Sequence, residues 1–135
     1  MKLNIIDSSV AVKWFIGEES GRDRAVAILH SILSDPREYA VPELFFNEML
    51  SVLCRLFDSV DRIHPLLSAL EGLGLKRIGN GHELLSEAAA IAKEYDLTGH
   101  DAVFAATAKL TNGVWITADA KALAKLSGFK HARLL

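Results

Sequence analysis

Leu3-Asn4-Ile5-Ile6-Asp7-Ser8-Ser9-Val10 opens the chain with a short apolar run that stops at an acid and two hydroxyls. Residues 3–6 read as a buried strand. Asp7-Ser8-Ser9 brings side-chain oxygens of the kind that accept from the first N–H groups of a helix. The spacing predicts a helix over residues 10–15, so the chain begins as a strand that feeds a helix. A carboxylate stands at the junction.

The same order recurs outward from this point. A helix over residues 23–34 ends at Asp35-Pro36, and residues 39–41 form a brief strand. Pro42 is read as opening the next helix, where its missing N–H costs nothing. Leu44, Phe45, Phe46, Met49, Val52, Leu53 and Leu56 carry that helix onward. A helix over 61–73 with Pro65 in its first turn, a strand over 75–78 and a helix over 82–95 come next. After Thr98-Gly99 a helix spans 100–110, Asn112-Gly113 turns the chain, and residues 114–117 form a strand. A last helix over 118–126, capped by Gly128, leads to a short strand over 132–134. Strands alternating with helices imply an α/β fold with a mostly parallel sheet of four to five strands, covered on both faces. No internal repeat, low-complexity segment or linker interrupts residues 1–135, and one domain is expected.

Lys and Arg number 15 against 17 Asp and Glu, a formal net charge of −2, so nucleic acid would have to be held locally rather than by a basic surface. Cys54 is the only cysteine, which rules out disulfides and Cys-rich zinc sites within the chain and fits a reducing cytoplasm. The opening residues carry no secretory pattern and the apolar runs are too short to span a bilayer, so neither export nor membrane insertion is expected.

Asp7, Glu48, Asp101 and Asp119 stand apart from the other acids. In an open α/β sheet the binding crevice lies at the carboxyl ends of the strands, and Asp7 and Asp119 arrive there directly. Each taken alone also reads as a helix cap. Glu48 has Leu44, Phe45, Met49 and Val52 as its helical neighbours, at the edge of an apolar stripe where a carboxylate needs a partner or a metal. Pairing with a basic neighbour such as Arg55, or with a residue elsewhere, is the alternative. Asp101 sits in a helix first turn beside Phe104 and Ala105. If the four meet, like charges ~4 Å apart repel by about 4 kcal/mol per pair at an effective dielectric near 20. Hard oxygen donors without thiols or clustered imidazoles suit Mg²⁺ or Mn²⁺, which can acidify a water for attack on a phosphodiester.

With these residues in view the chain resembles the PIN-domain family, and especially the VapC-type toxins of prokaryotic toxin–antitoxin pairs. The likeness runs nearly end to end. It is carried by Ile5-Ile6-Asp7-Ser8-Ser9-Val10, by Val41-Pro42-Glu43-Leu44 leading to Asn47-Glu48, by His100-Asp101-Ala102-Val103-Phe104-Ala105-Ala106, and by Ile116-Thr117-Ala118-Asp119. The resemblance implies a three-layer α/β/α sandwich and a Mg²⁺- or Mn²⁺-dependent endoribonuclease. It also implies a homodimer and a cognate antitoxin whose tail occupies the active-site groove. By position Asp7, Glu48, Asp101 and Asp119 match the family's acids, and Ser9 and Thr117 match the hydroxyls that support them. Cap and strand-end roles are the alternatives for those two. Ser51 and His100 depart from the family's common Asn and Tyr. Lys121 and Ala122 stand where some members have a further acid, so one ion is expected rather than two.

Lys13, Arg22 and Arg24 are candidates for phosphate contacts, Lys13 foremost, although solvated surface charge is the first reading for each. His100 is the one histidine placed to carry a proton, although a structural role is the first reading. Trp14 and Phe15 could stack on bases but fit a core or subunit contact better. Three other readings compete with the nuclease. A receiver-like signalling module would need paired acids after the first strand, where this chain has serines. A non-catalytic binding protein on the same PIN-like fold would not need all four acids. A dehalogenase-type phosphatase needs an Asp where Ser9 stands. RNA target, antitoxin, cation and oligomeric state are not written in the sequence.

Overall fold

Gly113 decides how closely the two central strands approach. A side chain there would collide with the Leu3 carbonyl oxygen, and that same carbonyl accepts the Val114 N–H at 2.8 Å. In a computed structural model, which describes residues 2–17 and 20–135, this turn sets β4 beside β1. The elements in chain order are β1 (Asn4–Ile6), α1 (Ser8–Ala11), a 3-10 turn (Val12–Trp14), α2 (Arg22–Ser34), a second 3-10 turn (Pro36–Glu38) and β2 (Tyr39–Pro42). They continue as α3 (Leu44–Leu56), α4 (Val60–Glu71), β3 (Lys76–Ile78), α5 (His82–Tyr95), α6 (Gly99–Leu110), β4 (Val114–Thr117), α7 (Ala120–Ala124) and β5 (Ala132–Leu134).

The strands form one five-stranded sheet in the order β3-β2-β1-β4-β5, and every pair is parallel. The expected mostly parallel sheet is therefore wholly parallel. From β1 the chain steps one way to β2 and β3; from β4 it steps the other way to β5. Right-handed crossovers then put α1 to α4 on one face and α5 and α6 on the other, giving three layers. The order reverses between β1 and β4, the position at which such sheets open a crevice beyond their carboxyl ends. Their register, Asn4 with Val114, Ile5 with Trp115 and Ile6 with Ile116, brings both strand ends to the same height.

The core lies where these layers meet. Ile5, Ile6, Ala40, Val41, Phe45, Met49, Leu53, Trp115 and Ile116 are buried to 1% exposure or less. Residues 102–108 of α6 are all buried, because α6 is wedged between the sheet and α5. Among the described residues no helix is long and apolar enough to cross a membrane.

Several sequence boundaries shift. Pro42 ends β2 instead of opening α3: it pairs with Ile78, and the Glu43 N–H donates to the Ile78 carbonyl at 2.9 Å. By strand alternation the missing Pro42 N–H faces β1, whose pairing with β2 already ended at Ala40, so no ladder bond is lost. Pro65 lies inside α4 rather than in its first turn, since Ser59 caps that helix and Val60 begins it. The helix expected over 10–15 is split into α1 and the Val12–Trp14 3-10 turn. The one expected over 118–126 starts later, at Ala120, because Asp119 is its cap.

Candidate active site

Four elements bring the acids forward. Asp7 directly follows β1, caps α1 and is buried, and its own N–H donates to the Ile116 carbonyl of β4 at 3.1 Å. Both of its carboxylate oxygens are engaged. Trp115 Nε1 donates to Oδ1 at 3.1 Å, the Ser9 N–H donates to Oδ2 at 3.0 Å, and the Thr117 hydroxyl reaches Oδ2 at 3.5 Å. Trp115 and Thr117 are two apart on one strand, so both face Asp7. Burial pushes the Asp7 carboxyl above its ordinary range; hydrogen bonds from Ser9 and Trp115 oppose the rise, and the Asp119 charge adds to it.

Ser9 ties the β4–α7 connection to α1. Its Oγ accepts the Ala118 N–H at 2.9 Å and lies 3.4 Å from Thr117 Oγ1, while Thr117 Oγ1 in turn accepts the Asp119 N–H at 3.0 Å. The cap that Ser9 could have supplied comes from Asp7. Asp119 caps α7 through Oδ1, which accepts from Lys121 N and Ala122 N at 3.0 and 3.2 Å.

Glu48 projects from α3 and is half-buried. Ser8 Oγ donates to its Oε1 at 2.9 Å, and His100 Nδ1 lies 3.4 Å from Oε2. Arg55 is not among its ion-pair partners in the structure; His100 takes that place. Burial raises the Glu48 pKa, the Ser8 bond lowers it, Asp7 raises it and His100 lowers it. Asp101 stands in the first turn of α6, whose cap Thr98 accepts the Asp101 N–H at 3.2 Å. Burial raises its pKa, then the charges of Asp7 and Asp119 raise it further, with Thr98 and His100 opposing.

These mutual influences place the four acids in one electrostatic neighbourhood centred on Asp7. The donor set is all hard oxygen, it is partly withdrawn from water, and its members repel one another. That chemistry fits a small divalent cation. Among the described residues no group of three or more His, Cys, Asp or Glu side chains is placed to hold a metal ion as it stands. Asp7, Glu48 and Asp119 each direct oxygens at protein donors.

Lys13 is buried, and its Nζ donates to the Ser20 carbonyl at 2.5 Å. It lines a cleft of about 240 Å³ together with Arg24 and with Ala118 and Ala120, the two neighbours of Asp119. Trp14 donates from Nε1 to the Ala25 carbonyl at 2.8 Å, and with Phe15 it lines an apolar cleft between α2 and α4. Sequence reasoning missed Trp115 and Ser8. A tryptophan inside a buried strand needs an acceptor for its indole N–H, and Asp7 at the end of a neighbouring strand was the available one.

A family model described as the PIN domain matches residues 5–128. Among solved structures, a toxin–antitoxin complex from Klebsiella pneumoniae contains a chain that is 21% identical, with 96% of this chain and 95% of that one covered and a TM-score of 0.74. FitAcB from Neisseria gonorrhoeae is 18% identical over 98% of this chain and 96% of that chain, TM-score 0.73. VapC20 of Mycobacterium tuberculosis, described as a sarcin-ricin loop cleaving toxin, is 15% identical over 96% and 98%, TM-score 0.72. No curated protein sequence matches the chain.

Proposed function

The chain belongs to the PIN-domain family, and on that premise we propose that it is a metal-dependent endoribonuclease, the toxin of a VapBC-type toxin–antitoxin pair. The observation that carries this reading is the gathering of Asp7, Glu48, Asp101 and Asp119 around the switch point between β1 and β4, close enough for Asp7 to influence Glu48 and Asp101 and for Asp119 to influence Asp7 and Asp101. A bound Mg²⁺ or Mn²⁺ would supply a more acidic water and neutralise charge on the scissile phosphate. Asp7, Asp101, Asp119 and Glu48 would hold that ion. Glu48, whose proton affinity is raised, would also accept a proton from the attacking water as its oxygen bonds to phosphorus, the bond to the leaving ribose oxygen breaks and that oxygen takes a proton from solvent. Ser9 and Thr117 keep the Asp7 and Asp119 backbones in register. Arg24, in the cleft beside Asp119, takes a neighbouring phosphate of the strand, and Lys13, its Nζ held by the Ser20 carbonyl, lines the same cleft.

RNA is the substrate in this reading. A cognate antitoxin is the partner, as in the toxin–antitoxin complexes that share the fold. A cytoplasmic homodimer is its working form. Titration of Mn²⁺ into metal-free protein tests the site without needing the right RNA: wild type binds, and Asp7→Asn does not. RNA cleavage and growth arrest on expression are then lost in the same variant. Growth arrest undiminished in Asp7→Asn would sink the toxin assignment.

A further inference from the structure

Asp7, Ser8 and Ser9 are consecutive, yet each reaches a different part of the molecule. Successive side chains at a helix start diverge by about 100°. Asp7 faces Trp115 and Thr117 on β4, Ser9 faces the β4–α7 connection, and Ser8 faces Glu48 on α3, forty residues away in sequence. The cap of α1 is made by the Asp7 carboxylate, so the Ser8 hydroxyl is not needed for it. That hydroxyl donates instead to Glu48 Oε1 at 2.9 Å, and His100 Nδ1 stands 3.4 Å from Oε2. Glu48 is thus held between α1, which follows Asp7, and α6, which carries Asp101.

A glutamate has three side-chain torsions and, anchored only at its backbone, sweeps its carboxylate through a wide arc. Two contacts from two elements remove that freedom. We propose that Ser8 is a positioning residue for the acidic site: its hydroxyl fixes Glu48 Oε1 so that Glu48 acts as a set member of the cation-binding group instead of a mobile side chain. The inference rests on the reading that these acids take a divalent cation.

The test is Mn²⁺ titration calorimetry on the full metal-free chain, comparing wild type, Ser8→Ala, Ser8→Thr, Glu48→Gln and the double variant Ser8→Ala with Glu48→Gln. Thermal melting without metal is followed on each. Loss of one charge-assisted hydrogen bond predicts Mn²⁺ affinity roughly tenfold weaker in Ser8→Ala. Ser8→Thr, which keeps the hydroxyl, returns to within about twofold of wild type. In the Glu48→Gln background Ser8→Ala has no further effect, because the serine acts through the glutamate. A merely structural serine would lower the melting temperature and leave affinity alone. Wild-type Mn²⁺ affinity in Ser8→Ala overturns the proposal, as does an equal loss in Ser8→Thr or an undiminished Ser8→Ala effect on Glu48→Gln. Absence of Mn²⁺ binding by wild type would overturn the nuclease reading and this inference with it.

Discussion

α6 contains two opposite environments within one helix of twelve residues. Residues 102–108 are buried on every side, with Phe104 stacked on Trp115 at 6.1 Å between ring centroids and Thr107 Oγ1 satisfied by the Val103 carbonyl at 2.7 Å. One turn earlier, Asp101 is half-buried beside acids that repel it. β1 and β4 divide in the same way, with Ile5, Ile6, Trp115 and Ile116 in the core and Asp7 and Asp119 beyond it. The lower half is consistent at every level, from pattern to packing, whereas the upper half gathers like charges that the fold alone does not satisfy. Local conflict of this kind, confined to one end of a well-packed sheet, marks where function departs from stability. The rigid apolar layer beneath is what keeps the conflicting groups from moving apart.

The sharpest way to break this contrast is to substitute once in each half of α6. Phe104→Ala should cost about 3–5 kcal/mol, most of the margin of a typical domain, and move the urea midpoint far downward. Asp101→Asn should do the reverse. Mn²⁺ binding disappears and RNA cleavage falls roughly 100-fold or more, while the metal-free chain is as stable as wild type or more stable by about 1 kcal/mol, because a repelled charge has been removed. A urea midpoint for Asp101→Asn as low as that of Phe104→Ala would show that the acid is structural and erase the distinction.

Trp115 joins the two halves and should give an intermediate result. Its ring belongs to the core and its Nε1 holds Asp7 Oδ1. Trp115→Phe keeps most of the packing and removes the donor, leaving a buried carboxylate oxygen short of a partner at a cost of about 1–3 kcal/mol. Weaker Mn²⁺ binding should accompany it, since Asp7 is then free to turn. Unchanged stability and unchanged Mn²⁺ binding would mean that the core does not position the site.

The halves also differ in how far they could be read from sequence. Hydrophobic period and turn residues located every strand and most helices, because those signals are local. Asp7 and Asp119 were legible at strand ends, and Glu48 was legible as a carboxylate on an apolar stripe. Pro42 misled because its tolerance depends on where β1 stops pairing, which is a property of the sheet and not of residues 41–43. The partners of Glu48 and Asp7 were not legible for a related reason. Ser8 meets Glu48 across forty residues and Trp115 meets Asp7 across 108, so neither pair leaves a periodic trace. Of the basic partners expected for Glu48, Arg55 or a residue elsewhere, the structure gives the distant one, His100 at the start of α6.

The smallest expected effect is also the one that separates the halves without mutation. Asp7, Glu48 and Asp101 all have carboxyl groups raised above their ordinary values, so the folded chain binds protons more readily than the unfolded one. Their contribution to stability is fully present below the unfolded carboxylate range, about 4, and is lost as pH rises through the higher folded values. Metal-free protein should therefore melt higher near pH 5 than at pH 7.5, with the difference coming from these three carboxyls. The Asp101→Asn variant serves as the control for that and should show a shallower slope. Saturating Mn²⁺ should reverse the trend, because ligation requires the deprotonated carboxylates and competes directly with protons. A core-dominated chain would show one slope in both conditions. Opposite slopes with and without Mn²⁺, flattened by Asp101→Asn, would trace the pH response to the crevice and leave the apolar half silent.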